Sequence, residues 1–358
     1  MGGSMTKAER VYRELRQRVE TMDRGMRFPS VRQVIRELGV SQVTVDRALD
    51  RLSEEGLIVR RPKRGIFIAG DDEPGREVST RRIGVAIPDY PSPVYESYAR
   101  HMMRQVDAAG HMVRLLRYSW RDRVPRGLTL ERLDGLVLVP TGTQFHPEDI
   151  YRISRMGVPV VLMERLVPGV VMDCVGPDNE GGGALAASHL IELGHRRLAV
   201  LVCEPRGVTL EARVAGFRRQ VEASGLASPR VIDGHVEPGE SAALRACLVL
   251  KGEIEREGVT FTGLFVVSDG SAIGALKALH DGGIGIPDQV SVVGFGDIPE
   301  AAVYHPSLTT IREDTAAMAH AAVEIIERRL DGDQTPAIQR VLAPDLVVRE
   351  STGAVRDC

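Results

Sequence analysis

Three amphipathic helices are predicted at the start of the chain by the spacing of its hydrophobic residues. In the first, which begins near residue 7, apolar side chains recur every four positions at Val11, Leu15 and Val19. The second begins after Ser30, a favourable N-cap, and ends at Gly39. The third begins after Ser41 and ends at Gly56. Its apolar face consists of Val45, Ala48, Leu49 and Leu52.

Two short strands, residues 57–59 and 66–68, follow the third helix and are joined by a basic segment. This order of elements is typical of a winged helix-turn-helix domain. Such a domain places its third helix in the major groove of DNA, with the N-terminal side chains leading. Cations on the wing suit phosphates and a neighbouring groove, and a glycine there lets the backbone come close to DNA. The predicted wing contacts are Arg60, Arg61, Lys63, Arg64 and Gly65.

From residue 83 onward the pattern changes to buried strands that alternate with helical stretches. The clearest strands are 83–87, 136–139, 158–162, 198–202, 263–267 and 290–295. This alternation predicts an α/β fold with parallel sheets covered by helices on both faces. Residues 71–82 are polar, contain Pro and Gly and show no apolar period, which indicates a linker. The sequence therefore predicts a winged helix-turn-helix domain at residues 1–70 and an α/β domain at residues 83–352.

Charge is divided unevenly between these domains. The chain of 358 residues has a net charge of −3, but residues 1–70 contain 15 Lys and Arg against 9 Asp and Glu, and the rest contains 31 against 40. A basic head on an acidic body favours contact with a polyanion such as nucleic acid. A small domain also reaches such a charge by chance, so composition alone does not decide.

The apolar runs and the cysteines indicate the cellular compartment in which the chain works. The chain has no uninterrupted apolar run of about 18 residues, which predicts no membrane span. Its start lacks the apolar core of a signal peptide. Four scattered cysteines without a CxxC pair favour reduced thiols in the cytoplasm over a disulfide framework or a zinc site. We expect neither a cofactor nor a metal.

The head resembles the GntR-type DNA-binding family over roughly residues 7–69, with essentially no gaps. The motifs that carry this resemblance are Pro29–Arg32, Leu38–Ser41, Thr44-Val45, Ala48-Leu49, Leu52, Glu55–Ile58 and Arg64-Gly65. By position, the resemblance implies that Arg32 contacts a phosphate or a base. It also implies that Ser41, Gln42, Thr44 and Asp46 lie on the side of the third helix that faces the groove. Arg47 is either a phosphate contact or a solvated helix residue.

Two positions depart from the family pattern. Many relatives have Arg where this chain has Gln42, and basic residues are common at the position of Asp46. Glutamine is suited to adenine, so a different operator sequence is expected. Phosphates would repel Asp46, which is therefore expected to bond a cytosine amino group or to pair with a neighbouring Arg.

The body resembles the LacI/GalR-type effector domain, which is related to periplasmic sugar-binding proteins, over about residues 83–352. The motifs are Asp178–Gly182, His189–Arg197, Arg213–Phe217, Ser268–Ala275, Ile286–Phe295, Pro306–Ile311 and Val348–Thr352. The resemblance implies two similar lobes, chain crossovers near residues 178, 297 and 311, an effector in the cleft between the lobes, and a homodimer. With the GntR-type head, the whole chain resembles the arabinose-repressor (AraR) architecture.

Effector contacts are expected at the carboxyl ends of the strands, where such folds bind ligands. The candidates are Asp89, Tyr95, Glu164, Arg165, Thr209, Arg213, Ser268, Asp297 and Glu313. Arg213 is the leading one, because a guanidinium can fork two sugar hydroxyls or a carboxylate. Tyr95 either stacks on a sugar ring or belongs to the core. Of Glu164 and Arg165, one is expected only to pair with the other.

Two departures concern the effector. Relatives commonly have Asn at the position of Ser268 and Asp at that of Gly296, and these groups usually hold sugar hydroxyls. We therefore expect an effector that is larger, more acidic or less hydroxylated than a simple hexose.

Together these features predict a regulator of transcription, typically a repressor of carbohydrate genes, whose partners are double-stranded operator DNA and a small sugar-like effector. The alternative from another class is a glycosidase-type enzyme that uses acidic pairs in the cleft. A transport binding protein is disfavoured by the DNA-binding head and the lack of a signal peptide.

Overall fold

The structure is a computed structural model that describes residues 7–22, 26–61, 65–68, 80–89, 92–119, 121–122, 133–140, 147–164, 171–205, 207–237 and 239–355. The chain divides into two compact units, residues 1–79 and 80–358. We call them the head and the body. Helices and strands are numbered in chain order.

The head consists of three helices and a small sheet. Its elements are α1 (Lys7–Thr21), β1 (Arg27–Phe28), α2 (Val31–Leu38), α3 (Gln42–Glu54), β2 (Ile58–Arg61) and β3 (Gly65–Ile68). The antiparallel sheet has the order β1-β3-β2, so β1 adds a strand that the hydrophobic pattern did not predict. Leu15, Leu49 and Leu52 are fully buried at the centre of the core.

The turn between α2 and α3 is set by local chemistry. Ser30 and Ser41 cap the two helices, each accepting a hydrogen bond from a backbone amide three residues later. Gly39 ends α2 in the left-handed conformation, with φ of 61°, and its amide bonds Ile35 O at 3.0 Å. A side chain with a Cβ is disfavoured in that conformation, so glycine makes this sharp turn possible. These three residues set the start of α2, the end of α2 and the start of α3, as the sequence predicted.

The body alternates strands and helices around two parallel sheets. Its elements are β4 (Arg82–Pro88), α4 (Pro93–Ala108), β5 (Met112–Tyr118), β6 (Gly135–Leu138), α5 (Pro147–Ser154), β7 (Val160–Met163), β8 (Cys174–Pro177), α6 (Asn179–Glu192), β9 (Leu198–Val202), α7 (Val208–Ala223), β10 (Arg230–Asp233), α8 (Ala242–Glu257), β11 (Gly263–Val266), α9 (Asp269–Asp281), β12 (Ser291–Phe295), α10 (Pro299–Val303), β13 (Thr309–Arg312), α11 (Thr315–Leu330), β14 (Gln339–Leu342) and β15 (Asp345–Val347). The predicted α/β class is confirmed.

Each sheet defines a lobe. The first lobe has the strand order β14-β8-β7-β6-β4-β5, and the second has β10-β9-β11-β12-β13-β15. All pairings are parallel except that of β13 with β15. Helices α4 and α11 pack on the first sheet, and buried side chains from α6 to α9 form the core of the second lobe. No described helix is long and apolar enough to cross a membrane.

The chain passes between the two sheets three times. It leaves the first sheet at Asp178, returns to the first lobe at residues 313–314, and enters the second sheet again at residues 343–344. The crossover predicted near residue 297 is wrong. Residues on both sides of that point, among them Val292 and Ala301, pack in the same core of the second lobe, because α10 returns onto the sheet that β12 has just left.

Two glycines let α6 and α7 pack closely in the second lobe. A Cβ at Gly183 would lie 2.0 Å from the carbonyl oxygen of Arg213, and one at Gly216 would lie 1.9 Å from that of Glu180. Any side chain there would push the helices apart. This close packing holds Arg213, on α7, beside the first crossover.

Candidate functional site

The N-terminal turn of α3 presents the predicted DNA-reading residues. Gln42 and Arg47 are exposed, and Thr44 is half-buried. The Ser41 hydroxyl lies 3.4 Å from the Thr44 amide, which it caps, and 2.9 Å from the Thr44 hydroxyl. Ser41 therefore has a structural task in the free head. The first two turns of α3 thus offer an amide and a guanidinium to solvent, as base and phosphate contacts require.

Val43 also belongs to this exposed turn and was not predicted. It is 62% exposed, whereas Val45, two residues later, is fully buried. An apolar side chain at the tip of a recognition helix is suited to the methyl group of thymine. The signal in the sequence was the Val-Thr-Val alternation, in which only one valine can face the core.

Asp46 is held near an arginine, although not through its own carboxylate. Arg60, on β2, donates to the Asp46 carbonyl oxygen at 3.3 Å and forms an ion pair with Asp50 at 3.0 Å. The predicted neighbouring arginine is thus Arg60 of the wing, but it bonds the backbone of Asp46 and pairs with the carboxylate of Asp50. This contact joins the wing strand to α3.

Four predicted head contacts lie outside the described residues. These are the side chains of Arg32 and Arg61 and the wing-tip residues Lys63 and Arg64. Gly65, which opens β3, has φ of 113°, and a Cβ there would lie 3.2 Å from Arg27 Nε. The glycine is thus required by local geometry, while its approach to DNA stays a prediction.

A cleft lies between the lobes of the body. The start of α4 lines it from the first lobe, and the second lobe and the second crossover line the rest. Its lining residues are Ser92, Pro93, Val94, Glu204, Arg213, Ser268, Asp269, Gly270, Phe295, Gly296, Ile298 and Glu313. Most of the polar ones follow the carboxyl ends of β9, β11 and β13, as a parallel sheet dictates.

Arg213 is the centre of the cleft's hydrogen-bond network. Its Nε donates to Asn179 Oδ1 at 2.8 Å, and its two terminal nitrogens donate to the Val267 carbonyl at 2.9 Å and to Glu313 Oε1 at 2.6 Å. Its guanidinium also lies 3.6 Å from the centre of the Phe295 ring, a cation–π contact. Only 8% of Arg213 is exposed. These partners fix one orientation of the guanidinium.

Glu313 joins this network to the first lobe. Its second carboxylate oxygen accepts a hydrogen bond from the Tyr98 hydroxyl at 2.9 Å. Burial, together with the nearby Glu313 and Glu164 carboxylates, holds the pKa of Tyr98 well above its ordinary value, so its hydroxyl keeps the proton that it donates to Glu313. The crossover carboxylate therefore bridges α4 of one lobe and α7 of the other.

Glu204, two residues after β9, is a cleft residue that the sequence argument missed. The Ser268 hydroxyl donates to its Oε1, and the Ser271 hydroxyl lies 3.3 Å from the same atom. Burial raises the pKa of this carboxyl, and the two serine bonds oppose that shift. The rule that nominated Ser268, a polar residue just after a buried strand, also applied to Glu204.

Asp269 is the most deeply buried acid of the lining. Its two oxygens accept from Thr310 Oγ1 at 2.6 Å and from the Ile298 amide at 3.0 Å. Burial nevertheless raises the pKa of Asp269 to about 6. Asp297, which was predicted as an effector contact, instead forms an ion pair with Arg349 at 2.6 Å.

Three of the predicted effector residues, Arg213, Ser268 and Glu313, come together in this cleft. The other described candidates do not line it. Asp89 is exposed at the end of β4, Tyr95 packs in the first lobe's core, and Glu164 is buried with φ of 85°. Thr209 is buried one turn before Arg213, and its hydroxyl has no hydrogen-bond partner among the described residues. Arg165 lies outside the described residues.

Comparison with known proteins agrees with this division of the chain. Residues 7–68 match the family described as bacterial regulatory proteins, gntR family, and residues 187–352 match the periplasmic binding protein-like domain. The HTH-type transcriptional regulator MalR of Streptomyces coelicolor is 28% identical over 335 residues, which cover 89% of this chain and 95% of MalR. The regulator GalR of Escherichia coli is 26% identical over 331 residues, covering 90% and 95%.

The chain is a homologue of the LacI/GalR-type transcriptional regulators, with a GntR-type head. The predicted resemblances of the head and of the body are thereby confirmed, as is the predicted class of regulator, and the glycosidase alternative finds no support among these relatives.

Solved structures of this group share the body's fold. A LacI transcriptional regulator from a Rhodococcus species is 28% identical, with a TM-score of 0.65 over 77% of this chain and 99% of that one. A LacI family regulator from Enterococcus faecium with bound ribose has a TM-score of 0.66 over 77% and 100%; at 20% identity it shows likeness of fold alone.

Proposed function

We propose that this chain binds operator DNA through its head and that a small, sugar-like molecule in the interlobe cleft controls the affinity. The observation that carries the proposal is the cleft itself, which is lined by buried polar and charged side chains in a chain that starts with a DNA-binding head. We place its action in the cytoplasm, where the operator is, and assign it no catalytic step.

The DNA-binding surface comprises the first half of α3 and the wing. Gln42 is expected to read a base, Val43 to contact a thymine methyl group, and Arg47 to bind a phosphate. The remaining predicted contacts are Arg32, Ser41, Thr44, Asp46, Lys63, Arg64 and Gly65. As the chain acts as a homodimer in this proposal, two heads meet two half-sites, and the operator is palindromic.

The effector site comprises the three predicted residues that line the cleft, Arg213, Ser268 and Glu313, together with Glu204. Arg213 and Glu313 connect the second lobe to the crossover and to Tyr98 of the first lobe. A ligand that bonds both sides favours one arrangement of the lobes over another. Operator affinity then changes only by the difference in the ligand's affinity for the two arrangements. The fold accommodates a pentose, as the ribose-bound Enterococcus faecium structure illustrates for that protein.

The DNA half of the proposal is tested by selecting duplexes from a random library with the full chain. We expect a palindromic site whose binding weakens steeply with salt, since phosphate contacts release counterions. Replacing both Gln42 and Arg47 with Ala is expected to weaken binding by tenfold or more. Arg13→Ala, which removes an exposed cation of α1, is the charge-matched control and should have a small effect. Indifference to every duplex at low salt would refute the proposal.

The effector half is tested on the selected duplex. Operator binding is titrated with D-ribose, D-xylose, D-galactose, maltose and their amino and acidic derivatives, after a thermal-shift screen that detects binding by mass action. At least one compound is expected to change operator affinity by fivefold or more, and Arg213→Met should abolish that response. If none of these compounds alters duplex binding, the control by a sugar-like effector is wrong. Turnover of a labelled sugar would contradict the absence of catalysis.

A further inference from the structure

We propose that the effector carries a positively charged amino group, which Glu204 binds in the interlobe cleft. The inference rests on the proposed function and specifies the class of ligand: a sugar-sized polyhydroxy compound with an ammonium group. It is carried by the arrangement of charges and hydrogen-bond acceptors along the cleft wall.

The cleft's only lining cation among the described residues is already matched. Arg213 bonds Glu313 at 2.6 Å, and its other nitrogens donate to Asn179 and Val267. Its positive charge is therefore taken up by Glu313. A second carboxylate in the lining forms no ion pair with it and feels its charge only at longer range, and the described lining carries more acids than cations.

Asp269 and Glu204 are the two remaining acids of the lining, and they differ in what is left for a ligand. Both oxygens of Asp269 accept hydrogen bonds inside the second lobe, from Thr310 and from the Ile298 amide. Glu204 uses only Oε1, which the two serine hydroxyls approach. Its Oε2 has no hydrogen-bond partner among the described residues and is therefore the acceptor that this wall offers to the cleft.

Ser268 and Ser271 also determine which kind of ligand group can bind beside Glu204. Ser268 donates its hydrogen to Oε1, and Ser271 donates its own to the Cys203 carbonyl at 2.9 Å, so the wall has lone pairs, rather than further donors, to offer. An ammonium has three donors and no acceptor, and it forms charge-assisted bonds with a carboxylate. Burial of Glu204 makes such a partner more favourable, because a cation offsets the cost of an ionised carboxylate away from water. An acidic effector, one of the options left by Ser268 and Gly296, is opposed by the same charge.

The test is calorimetric titration of the full chain with matched ligands at pH 6.5. The sets are D-glucosamine, D-glucose and N-acetyl-D-glucosamine, and D-galactosamine, D-galactose and N-acetyl-D-galactosamine. We expect at least one amino sugar to bind at least tenfold more tightly than both its parent and its N-acetylated form. Glu204→Gln, which keeps the size of the side chain, should reduce that preference to less than twofold.

Glu211→Gln is the matched control, because Glu211 is an exposed acid on the first turn of α7. It should keep the preference for the amine. The inference is overturned if the neutral sugars bind as tightly as the amino sugars, if no amino sugar binds, or if the Gln variant at position 204 keeps the preference. A neutral sugar that binds and alters operator affinity would leave the proposed function intact while refuting the role of Glu204.

Discussion

The head and the effector cleft hold their charged side chains in opposite ways. In the head, Arg18 bonds Glu37 at 2.5 Å between α1 and α2, and both side chains are partly exposed. This contact lowers the pKa of Glu37. In the cleft, Arg213 and Glu313 are buried, and burial raises the pKa of the neighbouring Glu204 and Asp269.

The difference has a physical meaning for each task. Exposed ion pairs contribute little to stability and are screened by salt, so arginines of the head can exchange a carboxylate for a phosphate at small cost. Buried charges strongly favour a fixed set of partners, which gives the cleft one geometry in which to select a ligand. Three measurements test this contrast.

The largest effect is expected from Arg213→Met. The variant leaves Glu313 buried without its cation, and we expect the free energy of unfolding of the body to fall by about 3–5 kcal/mol at pH 7. Urea unfolding followed by circular dichroism measures the change. Arg219→Met, which removes an ion pair with Glu180 at the surface of the same helix, is the matched control and should change stability little. Equal losses in the two variants would remove the contrast.

An intermediate effect is expected from pH, through Asp269. Its pKa is raised from 3.8 to about 6, so the folded chain holds this proton more tightly than the unfolded chain. The resulting stabilisation is complete below about pH 4 and is lost as the pH rises through 6. The shift corresponds to about 3 kcal/mol. Carboxylates of the head with a lowered pKa, such as Glu37, have the opposite effect: the stability that they contribute is lost as the pH falls.

Stability curves from pH 4 to 7 test the role of Asp269. Asp269→Asn should remove the part of the decline that occurs between pH 4 and 6, whereas Asp345→Asn, at an exposed carboxylate on β15, should leave the curve unchanged. Parallel curves for the wild type and Asp269→Asn would contradict the assignment.

The smallest effect is expected in the head, from Ser41→Ala. Loss of the N-cap of α3 should reduce the head's stability by about 1 kcal/mol. Ser53→Ala, at an exposed position in the last turns of the same helix, should be neutral or slightly stabilising, because alanine is the better helix former. The two are compared by thermal unfolding. A Ser53 variant that is as unstable as the Ser41 variant would contradict the role of the cap.

The fold was predictable where local chemistry decides it. Ser30, Gly39 and Ser41 act on their own neighbours, so the helix-turn-helix could be predicted from a few residues. Fully buried strands such as Leu198–Val202 are continuous apolar runs and were also predicted. Strand β5 was not, because it lies at a sheet edge and alternates exposed residues such as Arg114 and Arg117 with apolar ones.

The effector site was less predictable, because it depends on which strand ends meet. Arg213 and Glu313 are 100 residues apart, and only the crossovers bring them together. Tyr95 and Glu164 follow strands of the first lobe just as the cleft residues follow those of the second, yet neither lines the cleft. Whether a residue after a strand faces ligand or core is set by the path of its loop, which a one-dimensional pattern does not contain.

The third crossover has a consequence for how the chain is made. Strand β14 completes the first lobe, although it follows every helix of the second lobe in the sequence. During synthesis the head emerges whole and can fold early. The first lobe, by contrast, must wait for α11 and β14, which are synthesised after every helix of the second lobe. The nascent chain therefore acquires its DNA reader long before its sensor, and an interruption of translation before residue 339 yields a reader without a working switch.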